Sequence, residues 1–198
     1  GTLWLVNPYE KTYEQLPLKS KDGNPYKLRK VSVIGDNMLG IRHTSGLVIY
    51  DLNKRKPVHK RITHALEDKN VYGICGNLEN GLIIGTFKDG VMIQQESGFS
   101  FSTIKADIIN KKVTLKGSNV TGFAESNDTT IWISTSLKGL FRYSSTDKTL
   151  RKYESRSIPK EIDKIAYFSD RLWICSSSGL YSLNPDTKEV RPYREGFW

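Results

Sequence analysis

The sequence predicts an all-β protein, a β-propeller fragment of about four and a half blades, each of four antiparallel strands. Three observations predict it. A hairpin that opens on Gly and an aliphatic residue, runs on as strand, turns through polar residues and returns as a second strand occurs five times, with Thr2 replacing the Gly in the first copy. Its anchors stand at positions 2, 46, 90, 139 and 179, giving steps of 44, 44, 49 and 40 residues, the range of propeller blades. Upstream of each of the last four anchors lies another hairpin, so each period supplies four strands.

The half blade, residues 1–18, holds Leu3-Trp4-Leu5-Val6, the turn Asn7-Pro8-Tyr9-Glu10-Lys11 and a strand ending at Leu16. In the blade at about 28–62, Val31-Ser32-Val33-Ile34 and Met38-Leu39-Gly40-Ile41 precede Gly46 to Asp51, which turns towards His59. At about 70–104, Val71-Tyr72-Gly73-Ile74 and Leu82-Ile83-Ile84-Gly85-Thr86 precede Gly90-Val91-Met92-Ile93, the turn Glu96-Ser97-Gly98 and Phe101. At about 118–155 the strands start with Val120-Thr121-Gly122-Phe123, Ile131-Trp132-Ile133-Ser134-Thr135 and Gly139-Leu140-Phe141-Arg142-Tyr143, and the last ends at Tyr153. The final blade, at about 161–194, repeats this with Ile162-Asp163-Lys164-Ile165, Leu172-Trp173-Ile174-Cys175-Ser176 and Gly179-Leu180-Tyr181. Asn, Asp, Ser and Pro in the turns bend the chain for distinct reasons: Pro presets φ, and the short polar side chains bond the nearby backbone. The apolar middle strands fit sheets covered on both faces by neighbouring blades. A β-sandwich would not repeat one Gly-aliphatic hairpin five times, and a β-helix has much shorter coils. The chain opens at the third strand of a blade and leaves only Arg194 to Trp198 after the last hairpin. The expectation is therefore a part of a larger ring, with a self-contained ring of five blades, one of them thin, as the alternative.

Composition narrows the class. The 198 residues carry 37% apolar and 11% aromatic residues, fitting a folded β-rich chain. No run approaches the roughly 18 consecutive apolar residues of a membrane span, and no signal peptide opens the sequence. The net charge of +9 is dispersed. Its densest runs, Lys54 to Lys56 with Lys60 and Arg61, and Lys111 with Lys112, fall at expected turns or connections and read as solvated loops. Nucleic acid is not an expected partner, because neither a basic helix nor a zinc-finger spacing accompanies the charge. Cys75 and Cys175 make no metal or redox spacing and are expected to be buried, unpaired fillers of strands. Trp132 and Trp173 occupy the same repeat position and are expected to pack between blades.

The segments Ile131 to Thr135, Gly139 to Tyr143 and Asp147 to Leu150, and their counterparts Leu172 to Ser176, Gly179 to Tyr181 and Asn184-Pro185-Asp186-Thr187, resemble the two-component regulator propeller repeat. That repeat reads roughly Leu-Trp-Ile-Gly-Thr, a loop, Gly-Leu, two residues, Tyr-Asp-Pro and a Thr-Gly turn. The resemblance implies the periplasmic sensor region of a hybrid two-component histidine kinase of Bacteroidetes, in which such propellers sense glycan breakdown products. It thus implies a non-catalytic, oligosaccharide-sensing part of an inner-membrane signalling protein, whose kinase would lie outside these residues. The competing class is a protein-interaction or dimerisation platform, docking neighbouring blades or a second copy. A propeller polysaccharide lyase or hydrolase ranks below both.

No catalytic residue, metal or cofactor is expected. His43, His59 and His64 have no zinc spacing, and the serines lack the Gly-x-Ser-x-Gly elbow. Sialidase-type Asp-box loops are absent. Ligand positions follow from propeller geometry alone. Loops joining the second and third strands of each blade gather on one face with the connections between blades. The first set holds His43-Thr44-Ser45, Phe87-Lys88-Asp89, Ser136-Leu137-Lys138 and Ser177-Ser178, and the second Arg29, His64, Lys69 and Asn119. From these His43, Phe87, Lys88, Lys138 and His64 are the candidate ligand residues, offering hydrogen bonds and a flat apolar surface to a sugar.

Overall fold

The computed structural model describes residues 2–19, 23–44, 46–58, 66, 69–77, 81–94, 101–103, 105–108, 111–115, 117–127 and 129–193. His59, His64, Lys60, Arg61, Ser45, the turn at 96–98 and Trp198 lie outside them. Among the described residues there are twenty strands. The half blade is the hairpin β1 (Leu3–Asn7) and β2 (Thr12–Leu16). The first complete blade is the sheet β3 (Leu28–Val33), β4 (Met38–His43), β5 (Gly46–Asp51) and β6 (Lys56–Pro57). The second is β7 (Val71–Asn77), β8 (Gly81–Thr86), β9 (Val91–Gln94) and β10 (Phe101–Thr103).

A short hairpin, β11 (Lys105–Ile108) and β12 (Lys111–Thr114), precedes the third blade, β13 (Val120–Asn127), β14 (Thr130–Thr135), β15 (Gly139–Ser144) and β16 (Thr149–Tyr153). The fourth is β17 (Lys164–Phe168), β18 (Arg171–Ser176), β19 (Gly179–Leu183) and β20 (Val190–Tyr193). Within every blade the strands pair antiparallel in sequence order, and the first strands contact one another from β3 to β7, β7 to β13 and β13 to β17. Consecutive sheets stacked through their first strands form a β-propeller.

Strand alternation explains the stacking. On β14, Ile131 and Ile133 face the second blade and pack with Cys75, Ile83 and Val91, while Trp132 faces the fourth and packs with Leu172, Ile174 and Leu183. Leu47 and Ile49 of β5 meet Val71, Ile74, Leu82 and Ile84, while Val48 and Tyr50 meet Leu16 and Leu18 of the half blade. Each interblade layer is thus its own apolar cluster. Every fully buried Leu, Ile or Phe in it contributes about 1.5–3 kcal/mol, so the array is held by nearest-neighbour contacts.

Three expectations are corrected. Cys75 is buried, but Cys175 is exposed. Leu172 and Ile174 face the third blade, so the period of two turns Trp173 and Cys175 to the opposite face, which no described blade covers. Trp132 is 1% exposed and packs between blades as expected, whereas Trp173 rests against the Tyr193 ring at 4.9 Å. Lys111 and Lys112 lie in β12 rather than in a connection. The hairpin β11–β12 extends the outer edge of the third blade, with Asp107 of β11 pairing parallel to Arg151 of β16.

Candidate ligand-binding cleft

The second strand of a blade ends on small and hydroxyl residues. Gly85-Thr86, Ser134-Thr135 and Cys175-Ser176 are equivalent, because Gly85, Ser134 and Cys175 each pair with the residue that follows the repeat Gly. The hydroxyl closes the loop: Thr86 Oγ1 donates to Gly90 O at 2.9 Å, Thr135 Oγ1 to Gly139 O at 2.9 Å and Ser176 Oγ to Gly179 O at 3.2 Å. The small residue before it permits close approach of the next blade. A Cβ on Gly85 would stand 2.5 Å from Val120 Cγ1. In the first blade Arg42 pairs with Leu47 and His43 with Gly46, so Arg42-His43 stands where the other blades place the small and hydroxyl residues.

The first strands place bulge residues beside this position. Both β3 and β7 carry a bulge near their start, between Leu28 and Lys30 and between Val71 and Gly73. The extra residues are Arg29 and Tyr72, and a bulge re-aims the side chain it inserts. Backbone bonds tie each loop to the residue before its own blade: Thr44 N–H donates to Lys27 O at 3.2 Å, Phe87 N–H to Asn70 O at 2.9 Å and Ser136 N–H to Asn119 O at 3.0 Å. Loop and connection therefore meet on one face. Between the first two blades they enclose a cleft of 260 Å³, lined by Arg29, Arg42, His43 and Thr44 from one blade and Asn70, Val71, Tyr72 and Phe87 from the other. That lies below the roughly 300–1,000 Å³ of drug-sized pockets, room for one ring-sized group.

The cleft is cationic and aromatic. Arg42 Nη1 donates to Tyr72 O at 3.3 Å, and its guanidinium carbon lies 5.1 Å from the Tyr72 ring centroid, a cation–π distance. Arg42 Nε is shielded from solvent and has no acceptor among the described residues. His43 packs against Tyr26, ring centroids 4.4 Å apart, and burial lowers its pKa, so at neutral pH the charge comes from Arg29 and Arg42. Tyr72 and Phe87 remain 38% and 39% exposed, leaving ring surface for a ligand. Beside Phe87, Lys69 Nζ meets Asp89 Oδ2 at 3.1 Å. Such a half-exposed pair contributes at most about 1 kcal/mol, but it fastens the loop to the connection.

Of the sequence candidates, His43 and Phe87 line this cleft, as does Arg29 of the connection set. Lys88 does not: it is exposed, and its carbonyl accepts from Gly117 N–H at 2.7 Å. Lys138 belongs to the loop of the third blade, where its N–H donates to Thr135 Oγ1 at 3.0 Å. His64 lies outside the described residues. Sequence reasoning missed Arg42, Tyr72 and Asn70. The available signal was the replacement of Gly-Thr or Ser-Thr by Arg42-His43 at a fixed repeat position. Among the described residues no three His, Cys, Asp or Glu side chains gather as metal ligands would.

No protein-family model matches the chain, and neither does any curated protein. Solved structures do. The extracellular domain of BT4673, assigned to a hybrid two-component system of B. thetaiotaomicron, superposes with a TM-score of 0.67 at 20% identity, over 92% of this chain and 23% of that one. The corresponding domain of BT3049 from the same organism gives 0.62 at 17% identity, over 91% and 26%. Saccharomyces cerevisiae Sqt1 gives 0.62 at 12% identity, over 96% and 54%. The chain spans about a quarter of the length of the two bacterial domains and about half of Sqt1. At these identities the likeness is one of fold.

Proposed function

We propose that this chain is a non-catalytic, ligand-sensing segment of a periplasmic signalling protein of the hybrid two-component histidine kinase type, and that its ligand is an oligosaccharide bound in the cleft between the first two blades. The observation that carries the proposal is the cleft itself: two half-exposed rings, Tyr72 and Phe87, beside donors from Arg29, Arg42, Thr44 and Asn70. Flat apolar surface for the C–H face of a sugar and several donors for its hydroxyls are what saccharide recognition needs. The repeat resemblance and the fold shared with extracellular domains of bacterial two-component systems support the same class. A site spanning two blades also suits sensing, because a ligand that bridges neighbours biases their packing.

Titration calorimetry of the chain against a panel of neutral and acidic oligosaccharides tests this. Saturable binding is expected, weakened roughly tenfold by Phe87→Ala, a loss of about 1.4 kcal/mol. Absence of heat with every oligosaccharide, or binding untouched by Phe87→Ala, would overturn it. Turnover of any polysaccharide would refute the non-catalytic part.

A further inference from the structure

We propose that the ligand of this cleft bears an anionic group, a carboxylate or sulfate ester on a saccharide, held by the guanidinium groups of Arg42 and Arg29; this rests on reading the cleft as a saccharide site. The first ground is the break in the repeat. Positions that are Gly85, Ser134 and Cys175 in the other blades become a guanidinium at Arg42, and the bulge residue that is Thr121 in the third blade becomes Arg29 in the first. The Thr121 hydroxyl serves the fold, donating to Ile162 O at 2.6 Å. Two cations thus enter one interblade face at places where the repeat needs none for its packing.

The second ground is the state of Arg42. Its Nη1 serves Tyr72 O and its face lies over the Tyr72 ring, yet its Nε is shielded and has no acceptor among the described residues. Guanidinium groups bind carboxylate and sulfate oxygens through paired N–H donors, and Arg42 lines the cleft with donor capacity that the described residues do not use up.

The third ground is the company the arginines keep. Among the described residues no Asp or Glu lines the cleft beside them. Tyr72 and Phe87 would then carry the sugar ring while the arginines take its charge, a division of labour that discriminates acidic from neutral saccharides.

The test uses matched pairs of ligands: tetragalacturonate against its methyl ester, and a sulfated against an unsulfated chondroitin disaccharide. The charged member of at least one pair is expected to bind at least tenfold more tightly, and that pair also names the anion. Its affinity should fall with added salt, since the attraction is screened. Arg42→Met should abolish the preference. Arg29→Met, at an exposed rim position that does not threaten folding, should reduce it at least threefold. Equal binding of charged and neutral members, or a preference that survives both substitutions, would overturn the anion proposal while leaving the saccharide site standing. Failure of every saccharide to bind would remove both.

Discussion

At the scale of single residues, the cleft is built from departures from the repeat. His43 replaces the hydroxyl that elsewhere closes its own loop, and restoring it by His43→Thr separates packing from protonation. The new hydroxyl bond to Gly46 O would contribute about 1 kcal/mol, and losing the contact with Tyr26 would cost a similar amount. At pH 7.5 the stability should therefore change little. In the native protein burial lowers the His43 pKa from 6.5, so below that value the unfolded chain takes up the proton first and stability falls until the folded-state pKa is passed. Urea unfolding between pH 7.5 and 5.5 should show this slope in the native chain and a flatter one in His43→Thr. An unchanged slope would remove His43 as its cause. Cys75 departs in the other direction: its thiol donates to Glu125 Oε1 at 2.8 Å, and burial pushes it far above the usual thiol range, which leaves it a packing group.

At the scale of elements, the outer hairpin turns repeat more strictly than their sequences do. Asn7, Asp51, Ser144 and Asn184 each accept from backbone N–H groups two or three residues on. Four positions later each turn holds a residue with positive φ: Lys11, Arg55, Lys148 and Lys188 at 53°, 50°, 52° and 59°. Lys188 stands where the resembled repeat has the Gly of its Thr-Gly turn. A side chain at such φ costs about 1–2 kcal/mol, and Gly gives back about 0.5–1 through greater unfolded-state freedom. Lys188→Gly should therefore stabilise the chain by roughly 0.5–1 kcal/mol, with Lys188→Ala near neutral, both read from thermal melts; equal Tm values for the two would refute the account. Strands were legible in the sequence wherever the Gly-aliphatic anchor recurred. The hairpin β11–β12 was not, because strands of four residues show too little periodicity, and only the 49-residue step betrayed it. Bulges such as that at Tyr72 were hidden for a different reason: the extra residue alters pairing without altering the residues named. The cleft was half legible for the same cause, since the face loops could be assigned by topology and the contribution of β4 and β7 could not.

At the scale of the whole molecule, each internal blade covers one neighbour with each face, and the two outermost faces have no described blade against them. One presents Trp4, Val6 and Tyr13, 50%, 62% and 74% exposed; the other presents Phe168, Leu180 and Tyr193 at 71%, 40% and 55%. Their internal counterparts are covered: Leu140, at the repeat position of Leu180, is 1% exposed, and Phe141, at that of Trp4, is fully buried. One outer face thus has the character that receives a following blade and the other the character that receives a preceding one. Such surfaces complement each other but not themselves, so contact between copies would be heterologous and would not close into a two-fold dimer. Aromatic residues bury roughly 150–250 Å² apiece when fully covered, so two aromatic residues and one aliphatic residue on each side would drive association between copies. The chain by itself should therefore sediment as a concentration-dependent series of head-to-tail oligomers. Phe168→Ser combined with Tyr193→Ser should return it towards monomer while leaving its thermal transition nearly in place, because neither side chain belongs to an interblade cluster. A chain that stays monomeric at a hundred times its assay concentration, or one that forms a discrete dimer indifferent to these substitutions, would show that the outer faces do not act as blade-receiving surfaces.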